Sequence, residues 1–379
     1  MNFTTIPASW MTTVSTTSNL ADKFNFNPLD HIDAICYTST IDINVPVMCL
    51  LLVTLIGVAG NVGLLLVVIR NTYLHSAPNI IIVNIAVADL IYISCTAPFY
   101  IKHELERPCW LYGSVACKLR HLVPTVAQAT CIFSIVALSR ERYGAIVRGI
   151  ESRISRSLTG TLRTVCLAWL AGIIISLPVI FITDSVMFDI LCVYPYMGDY
   201  TTLPRIYVVF VCLILYILPL VCIAGNHAKI AQQLYLSNNG TLSPHRTDGS
   251  SNHHRARKRL AYIVLVITIF FAVFWCPHHA YNLWFTFMED EARQIENNKG
   301  VMKLLRHLNY YMALANSCLN PWIVFAMSSV HRKTLVRICR CCRCRRTRLN
   351  NTARKRSSSR MIRSVNADSA NNILTSSKI

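Results

Sequence analysis

Apolar residues in this chain come in long blocks, not in the narrow stripes that a helix shows when it lies on a water-soluble core. Seven blocks, at about 45–70, 79–101, 117–141, 161–183, 205–229, 260–287 and 302–327, carry the pattern. Each reaches the roughly 20 residues that a helix needs to cross a bilayer core about 30 Å thick. Several contain Pro or Gly, which helices in lipid tolerate better than helices in water. Strands of a membrane barrel would alternate apolar and polar positions over about ten residues, and these blocks do not alternate. The pattern predicts an all-α membrane protein, a seven-transmembrane helix bundle over 45–327. A polar segment at 1–44 precedes it and a basic tail at 328–379 follows.

Composition agrees with an apolar solvent: 53% of residues are hydrophobic and 15% charged, against about 25% charged in an ordinary soluble domain. The opening residues lack a basic region followed by an apolar one, so insertion is expected to be directed by the first helix itself.

Lys and Arg mark the cytoplasmic ends of membrane helices. Arg142, Arg148, Arg153, Arg156 and Arg163 cluster after the third block, and Arg246, Arg255, Arg257, Lys258 and Arg259 before the sixth. The tail is denser still, and a seven-helix chain puts all three stretches on one side. Of 18 acidic residues, 13 fall on the other side, among them Glu104, Glu106, Glu289, Asp290 and Glu291. The expectation is a plasma-membrane protein with its N-terminus outside and its C-terminus inside. The net charge of +19 hugs the inner loops, where anionic lipid attracts it, and does not call for nucleic acid. With this topology Asn2, in Asn2-Phe3-Thr4, is an extracellular glycosylation candidate.

Polar residues inside the blocks supply the candidate chemistry. Asp89 in the second block is a carboxylate deep in lipid, which is costly and by default functional. Asn61 in the first block and Asn316, Ser317 and Asn320 in the seventh can surround it, as a cluster that holds a small cation such as sodium or shuttles a proton. The third block ends in Glu141-Arg142-Tyr143, where an acid beside an arginine can restrain a cation that a partner later meets; a snorkelling charge pair is the alternative.

In the sixth block Trp275, His278, His279 and Asn282 stand at i, i+3, i+4 and i+7 and share one helix face, while Pro277 should kink the helix. The same spacing joins His121, Pro124, Thr125 and Gln128 in the third block. Two polar faces in the outer halves of their helices predict a pocket open to the outside; helix–helix hydrogen bonding is the alternative. Asn320-Pro321 in the seventh block implies a second deformable helix.

The order of these marks is more specific than any one of them. Gly60-Asn61, Asp89, Cys117, Glu141-Arg142-Tyr143, Trp169, Pro219, Trp275-Cys276-Pro277 and Asn320-Pro321 arrive one set per helix. The chain therefore resembles the rhodopsin-like (class A) G-protein-coupled receptors over about 45–340, including a short amphipathic eighth helix at about 328–340. Within that class it is most similar to the peptide branch of bombesin receptors, their CCHamide-type relatives and, further off, endothelin receptors. Cys117-Lys118-Leu119, Arg257-Lys258-Arg259-Leu260-Ala261, Ala145-Ile146-Val147-Arg148, Asn316-Ser317-Cys318-Leu319-Asn320-Pro321 and the late aromatic Phe325 carry that similarity.

The resemblance implies an extracellular peptide entering among helices three, five, six and seven, where it touches Gln128, His278, His279, Asn282 and Tyr310. It implies that Phe271, Trp275, Pro277, Asn320, Pro321 and Phe325 form the activation switch. Arg142 would then meet a heterotrimeric G protein, of the phospholipase-activating Gq type. It also pairs Cys117 with Cys192 in a disulfide. The chain departs from the pattern in places. Pro124 stands where amine receptors carry aspartate and bombesin receptors glutamine, and Tyr310 where bombesin receptors carry arginine. Leu314 replaces the retinal-binding lysine of opsins. Glu141 stands in place of the commoner aspartate, Phe274 in place of a cysteine, and His227 in place of a tyrosine that helps hold the active state.

The remaining outer cysteines, Cys36 and Cys109, form either a second bridge or two free thiols. Cys339, Cys341, Cys342 and Cys344, in a basic run just past the seventh block, read as palmitoylation sites that would pin the short helix to the inner leaflet, since interleaved arginines repel a metal ion. The serine-rich tail offers phosphorylation sites that could recruit an arrestin. The 235–256 stretch, with Asn, Gly, Ser and His, reads as a mobile loop. No nucleophile and base fall together as in an enzyme, and no cofactor is expected beyond the cation. The alternatives are a receptor of the same class that is constitutively active or takes a non-peptide ligand, and an ion-coupled transporter working through Asp89, against which stands the lack of any internal repeat.

Overall fold

A computed structural model of the chain describes residues 45–105, 110, 112–147, 158–186, 191–193, 202–238, 248–287, 299–338 and 340. Four helices come first: α1 (Val45–Ile69), α2 (Ala77–Leu105), α3 (Gly113–Ile146) and α4 (Leu158–Ser176), the last extended by a 3₁₀ turn at Leu177–Ile180. An antiparallel pair, β1 (Asp184–Val186) and β2 (Leu191–Val193), sets Ser185 opposite Cys192. Then α5 (Thr202–Cys212) runs through a π segment (Leu213–Ile217) into α6 (Leu218–Asn238), and α7 (Asp248–Phe287) and α8 (Lys299–Met327) complete the bundle. Counting α5 to α6 as one continuous membrane helix gives seven. The fold is all-helical apart from the short hairpin, which the apolar pattern did not announce.

The helices outrun their apolar blocks, because hydropathy marks only the part in hydrocarbon and the backbone bonds carry on into the headgroups. This corrects the reading of 235–256 as a loop: α6 runs to Asn238 and α7 starts at Asp248. Six helices among the described residues are apolar enough by composition to cross a membrane, and α8 is not among them. Its sequence carries Asn309, Asn316, Ser317 and Asn320, and these four side chains are buried. Polarity spent on the inside of the bundle lowers the average without exposing a polar group to lipid.

Leu52, Leu55 and Ile69 of α1, Leu170 of α4, Ile206 of α5 and Val221 of α6 are exposed, while Asn61, Asp89 and Gln128 are buried. That inversion of a soluble protein is what lipid requires. Helix α3 runs through the middle, against α2, α4, α6 and α7, and α8 closes the ring on α1, α2 and α7. Close approach of α1 to α8 depends on Gly57 and Gly60: a Cβ on Gly60 would lie 2.8 Å from Pro321 Cγ and 2.7 Å from Trp322 Nε1. Asn84 Nδ2 donates to Ser134 Oγ at 2.8 Å and Trp169 Nε1 to Asn84 Oδ1 at 2.9 Å, so α2, α3 and α4 share one hydrogen-bonded node.

Residues from Ser328 onward form a separate unit. Within it the chain is helical over 329–338, and Ser328 Oγ lies 2.7 Å from the imidazole Nδ1 of His331, a side-chain bond across the first turn.

Candidate functional site

The deep cluster forms around Asp89, which is 1% exposed. Asn320 Nδ2 donates to Asp89 Oδ2 at 2.8 Å, and the Cys131 thiol of α3 lies 3.7 Å from Asp89 Oδ1. Asn316 and Ser317 line the same small cavity with Tyr92, Gln128, Phe271 and Trp275. Asn61, named from the sequence as a partner of the carboxylate, instead donates through Nδ2 to the carbonyls of Gly57 at 3.0 Å and Ser317 at 3.1 Å. It holds α1 to α8, one shell away from the charge. Cys131 was missed, because its polar role shows only once α3 is set against α2. Asn61 Oδ1, Asn316 Oδ1 and Asn320 Oδ1 are buried acceptors with no hydrogen-bond partner. Of these, the Asn316 and Asn320 oxygens belong to the residues beside Asp89, and two orphaned oxygens there fit the chemistry of a hard cation, which takes oxygen ligands.

Above this cavity lies a second set built on α7. Trp275, His278 and His279 cluster, with ring centroids 5.2 Å apart for Trp275–His278, 6.2 Å for Trp275–His279 and 5.4 Å for the histidine pair. Tyr92 of α2 meets Trp275 edge-on at 5.9 Å. The face predicted from the i, i+3, i+4, i+7 spacing is thus one surface, though its members turn to different helices. His278 Nδ1 lies 2.6 Å from Asn309 Oδ1 on α8, and Asn282 Nδ2 lies 3.1 Å from His278 Nε2. An amide oxygen only accepts and an amide nitrogen only donates, so His278 is neutral with its proton on Nδ1. His279 instead stacks on Tyr216 of the π segment at 4.8 Å, and Tyr216 donates its hydroxyl to Ala272 O at 2.8 Å. Asn309 and Tyr216 were not found from the sequence. Only Asn309's place two turns before Asn316, on the polar side of α8, could have signalled it.

On α3 the four predicted positions differ in use. Gln128 is buried and lines the cavity, with Nε2 lacking a partner. Thr125 Oγ1 donates to His121 O at 2.7 Å, so its proton is spent within its own helix. Pro124 stands inside α3 and His121 is half-buried. Tyr310 of α8 stacks on Tyr100 of α2 at 4.7 Å. At this end of the bundle Cys117 and Cys192 are bonded, which ties α3 to β2.

At the opposite end, Arg142 Nη2 lies 3.5 Å from Glu141 Oε1, and Arg142 is 4% exposed. The Lys229 ammonium of α6 stands 5.7 Å from the Tyr143 ring. Asn226 Nδ2 donates to Ser139 Oγ at 3.2 Å, and Arg259 Nε of α7 donates to the Met327 carbonyl that ends α8. Pro277 lies inside α7 and Pro321 inside α8. Phe271 packs on Tyr216 at 5.9 Å, and Phe325 on Trp322 at 6.0 Å. Asn2, Cys36, Cys109, Cys339, Cys341, Cys342 and Cys344 lie outside the described residues.

Packed side chains therefore run from His278 and His279, on the disulfide side, past the small cavity beside Asp89 to Arg142 at the other end. The chain belongs to the seven-transmembrane receptors of the rhodopsin family, whose model matches residues 60–323. It is a multi-pass membrane protein and a signalling receptor, not an enzyme. It is 30% identical over 302 residues to the neuropeptide CCHamide-1 receptor of Drosophila melanogaster, a match covering 76% of this chain and 59% of that one. It is 29% identical over 295 residues to the galanin receptor type 2 of Rattus norvegicus, covering 76% and 74%. It is 25% identical over 287 residues to the bombesin receptor subtype-3 of Ovis aries, covering 73% and 70%.

Proposed function

We propose that this chain is a receptor for an extracellular peptide and drives a heterotrimeric G protein of the phospholipase-activating type. The observation that carries the reading is unmet polarity on the two helix faces between the Asp89 cavity and the disulfide: Gln128 Nε2 on α3 and His279 Nε2 on α7 are buried without a partner. Buried polar groups are nearly always satisfied, so two facing helices that leave these unmet suit a ligand rich in amides. Similarity to receptors named for neuropeptide CCHamide-1, galanin and bombesin supports the same class.

In this reading the disulfide end and the segment at 1–44 face outside, in the plasma membrane, and the tail at 328–379 faces the cytoplasm, as the arginine-rich loops favour. The peptide seats between α3, α5, α7 and α8, against Gln128, His278, His279, Asn282 and Tyr310. Trp275 couples that seat to the Asp89 cluster, where Asp89, Ser317 and Asn320 would hold a sodium ion that would supply positive charge beside the buried carboxylate. Binding swings the inner end of α7, loosens Arg259 from Met327, and frees Arg142 for the G protein. Tail phosphorylation then recruits an arrestin, and acylation of Cys339, Cys341, Cys342 and Cys344 fixes the tail to the inner leaflet.

The test is intracellular calcium in transfected cells screened with CCHamide-, galanin-, bombesin- and endothelin-type peptides, beside the Arg142→Ala receptor. A calcium rise that Arg142→Ala abolishes is expected. Silence to every peptide, with the receptor present at the surface, would overturn the assignment to a Gq-coupled peptide receptor.

A further inference from the structure

Arg120, in the first turns of α3, was not marked by any motif. It lies three residues beyond Cys117, whose bond to β2 fixes this part of the helix. Its guanidinium carbon stands 5.0 Å from the centroid of the Phe99 ring of α2 and 5.3 Å from that of Trp110. The two rings are themselves packed at 5.5 Å. Trp110 is 3% exposed, donates its indole N–H to Gly113 O at 2.8 Å and meets Tyr112 edge-on at 5.1 Å. The aromatic shelf is therefore rigid before anything binds.

Two ring faces steady a guanidinium, but they do not satisfy its hydrogen bonds. Five N–H donors lie in its plane, and π faces cover the plane from above and below only. No carboxylate, carbonyl or hydroxyl among the described residues accepts from Arg120. The residue next to it, His121, belongs to the predicted pocket face, and the next residue after Phe99 is Tyr100, which stacks on Tyr310. A second arginine, Arg205 at the start of α5, has a buried Nε without a partner.

We propose that Arg120 is an anion subsite at the disulfide end of the bundle, and that the natural ligand presents a carboxylate to it. The fork geometry suits a two-oxygen acceptor, so a carboxylate is bound through two parallel N–H···O bonds while the aromatic shelf holds the guanidinium in place. The carboxylate is either the free C-terminus of a peptide or an Asp or Glu side chain. The proposal rests on the reading that the ligand seats at this end of the bundle.

The test uses purified full-length receptor, with melting followed by tryptophan fluorescence, and three probes: N-acetyl-phenylalanine, its amide, and N-acetyl-aspartyl-phenylalaninamide. The first probe carries a terminal carboxylate, the third a side-chain carboxylate, and the second none. A rise in melting temperature with either acid and not with the uncharged amide is expected, and which acid works names the source. Arg120→Gln should weaken the acid's half-effect concentration by about tenfold or more, as loss of a charge-assisted pair does. Arg120→Lys keeps the charge without the fork and should fall between, which decides the matter if Arg120→Gln does not fold. Equal shifts from acid and amide, no shift from either acid, or an unchanged acid response in Arg120→Lys would overturn the proposal. These outcomes do not depend on the calcium screen, so an anion subsite can stand where the peptide or G-protein reading falls.

Discussion

Asn320 on α8 donates its side-chain amide to Asp89 on α2 at 2.8 Å, and this bond ties the proline-bearing turn of α8 to the one carboxylate described in the middle of the bundle. Asp89 keeps further capacity to accept, and the amide oxygens of Asn316 and Asn320 beside it have no donor.

A cation in this cluster predicts ion-specific stability. Purified receptor should melt at higher temperature in sodium chloride than in choline chloride of equal ionic strength. Asp89→Asn, which keeps the shape and removes the charge, should erase the difference. Equal melting of the unsubstituted receptor in the two salts would remove the cation from the account.

His278 and Asn309 predict a coupled pair. Asn309→Ala strands the Nδ1–H of a buried imidazole, a loss of about 1–3 kcal/mol. His278→Phe, which removes both polar atoms, should cost less in the Asn309→Ala background than alone. A double-mutant cycle on thermal or denaturant unfolding reads the coupling, expected at about 1 kcal/mol; additive effects would show that the bond contributes nothing.

Gly57 predicts a steric effect with a partner that relieves it. A Cβ there would fall 2.9 Å from Cys318 Cβ, 3.1 Å from its Cα and closer still to its sulfur. Gly57→Ala should therefore destabilise the α1–α8 seam by about 1–3 kcal/mol, the usual range for overpacking. Adding Cys318→Gly should recover part of that loss. A Gly57→Ala receptor as stable as the parent would mean that α1 shifts freely, and the Asn61 bonds to Gly57 and Ser317 would then carry little.

Much of this was legible in the sequence because lipid leaves little choice. Twenty apolar residues can only span, and an Asp or Asn among them can only turn inward, so the bundle and its buried polar positions could be read from hydropathy and spacing. The pairing could not be read. Whether Asn61 meets Asp89 or the Ser317 carbonyl depends on the rotation of α1 about its axis, which helical periodicity leaves free. His278 and His279 are neighbours in sequence, yet one turns to α8 and the other to the π segment, and nothing local distinguishes them. The π segment itself adds a residue to a turn without any proline or glycine inside it to betray it. Arg120 escaped notice because an arginine near a helix end reads as a solvated charge until Phe99 and Trp110 are set beside it. The opposite error occurred at 248–256, where serine and histidine suggested a loop and the helix is already under way.

The most direct test of the central claim is guanine-nucleotide exchange by purified heterotrimeric G proteins on membranes bearing the full-length receptor, with and without the peptides of the calcium screen. The account predicts peptide-dependent exchange, strongest on Gq, that disappears in Arg142→Ala and falls at least tenfold in potency in Gln128→Ala or His279→Ala. Exchange on no G protein with any of these peptides, or exchange that survives Arg142→Ala unchanged, would contradict it.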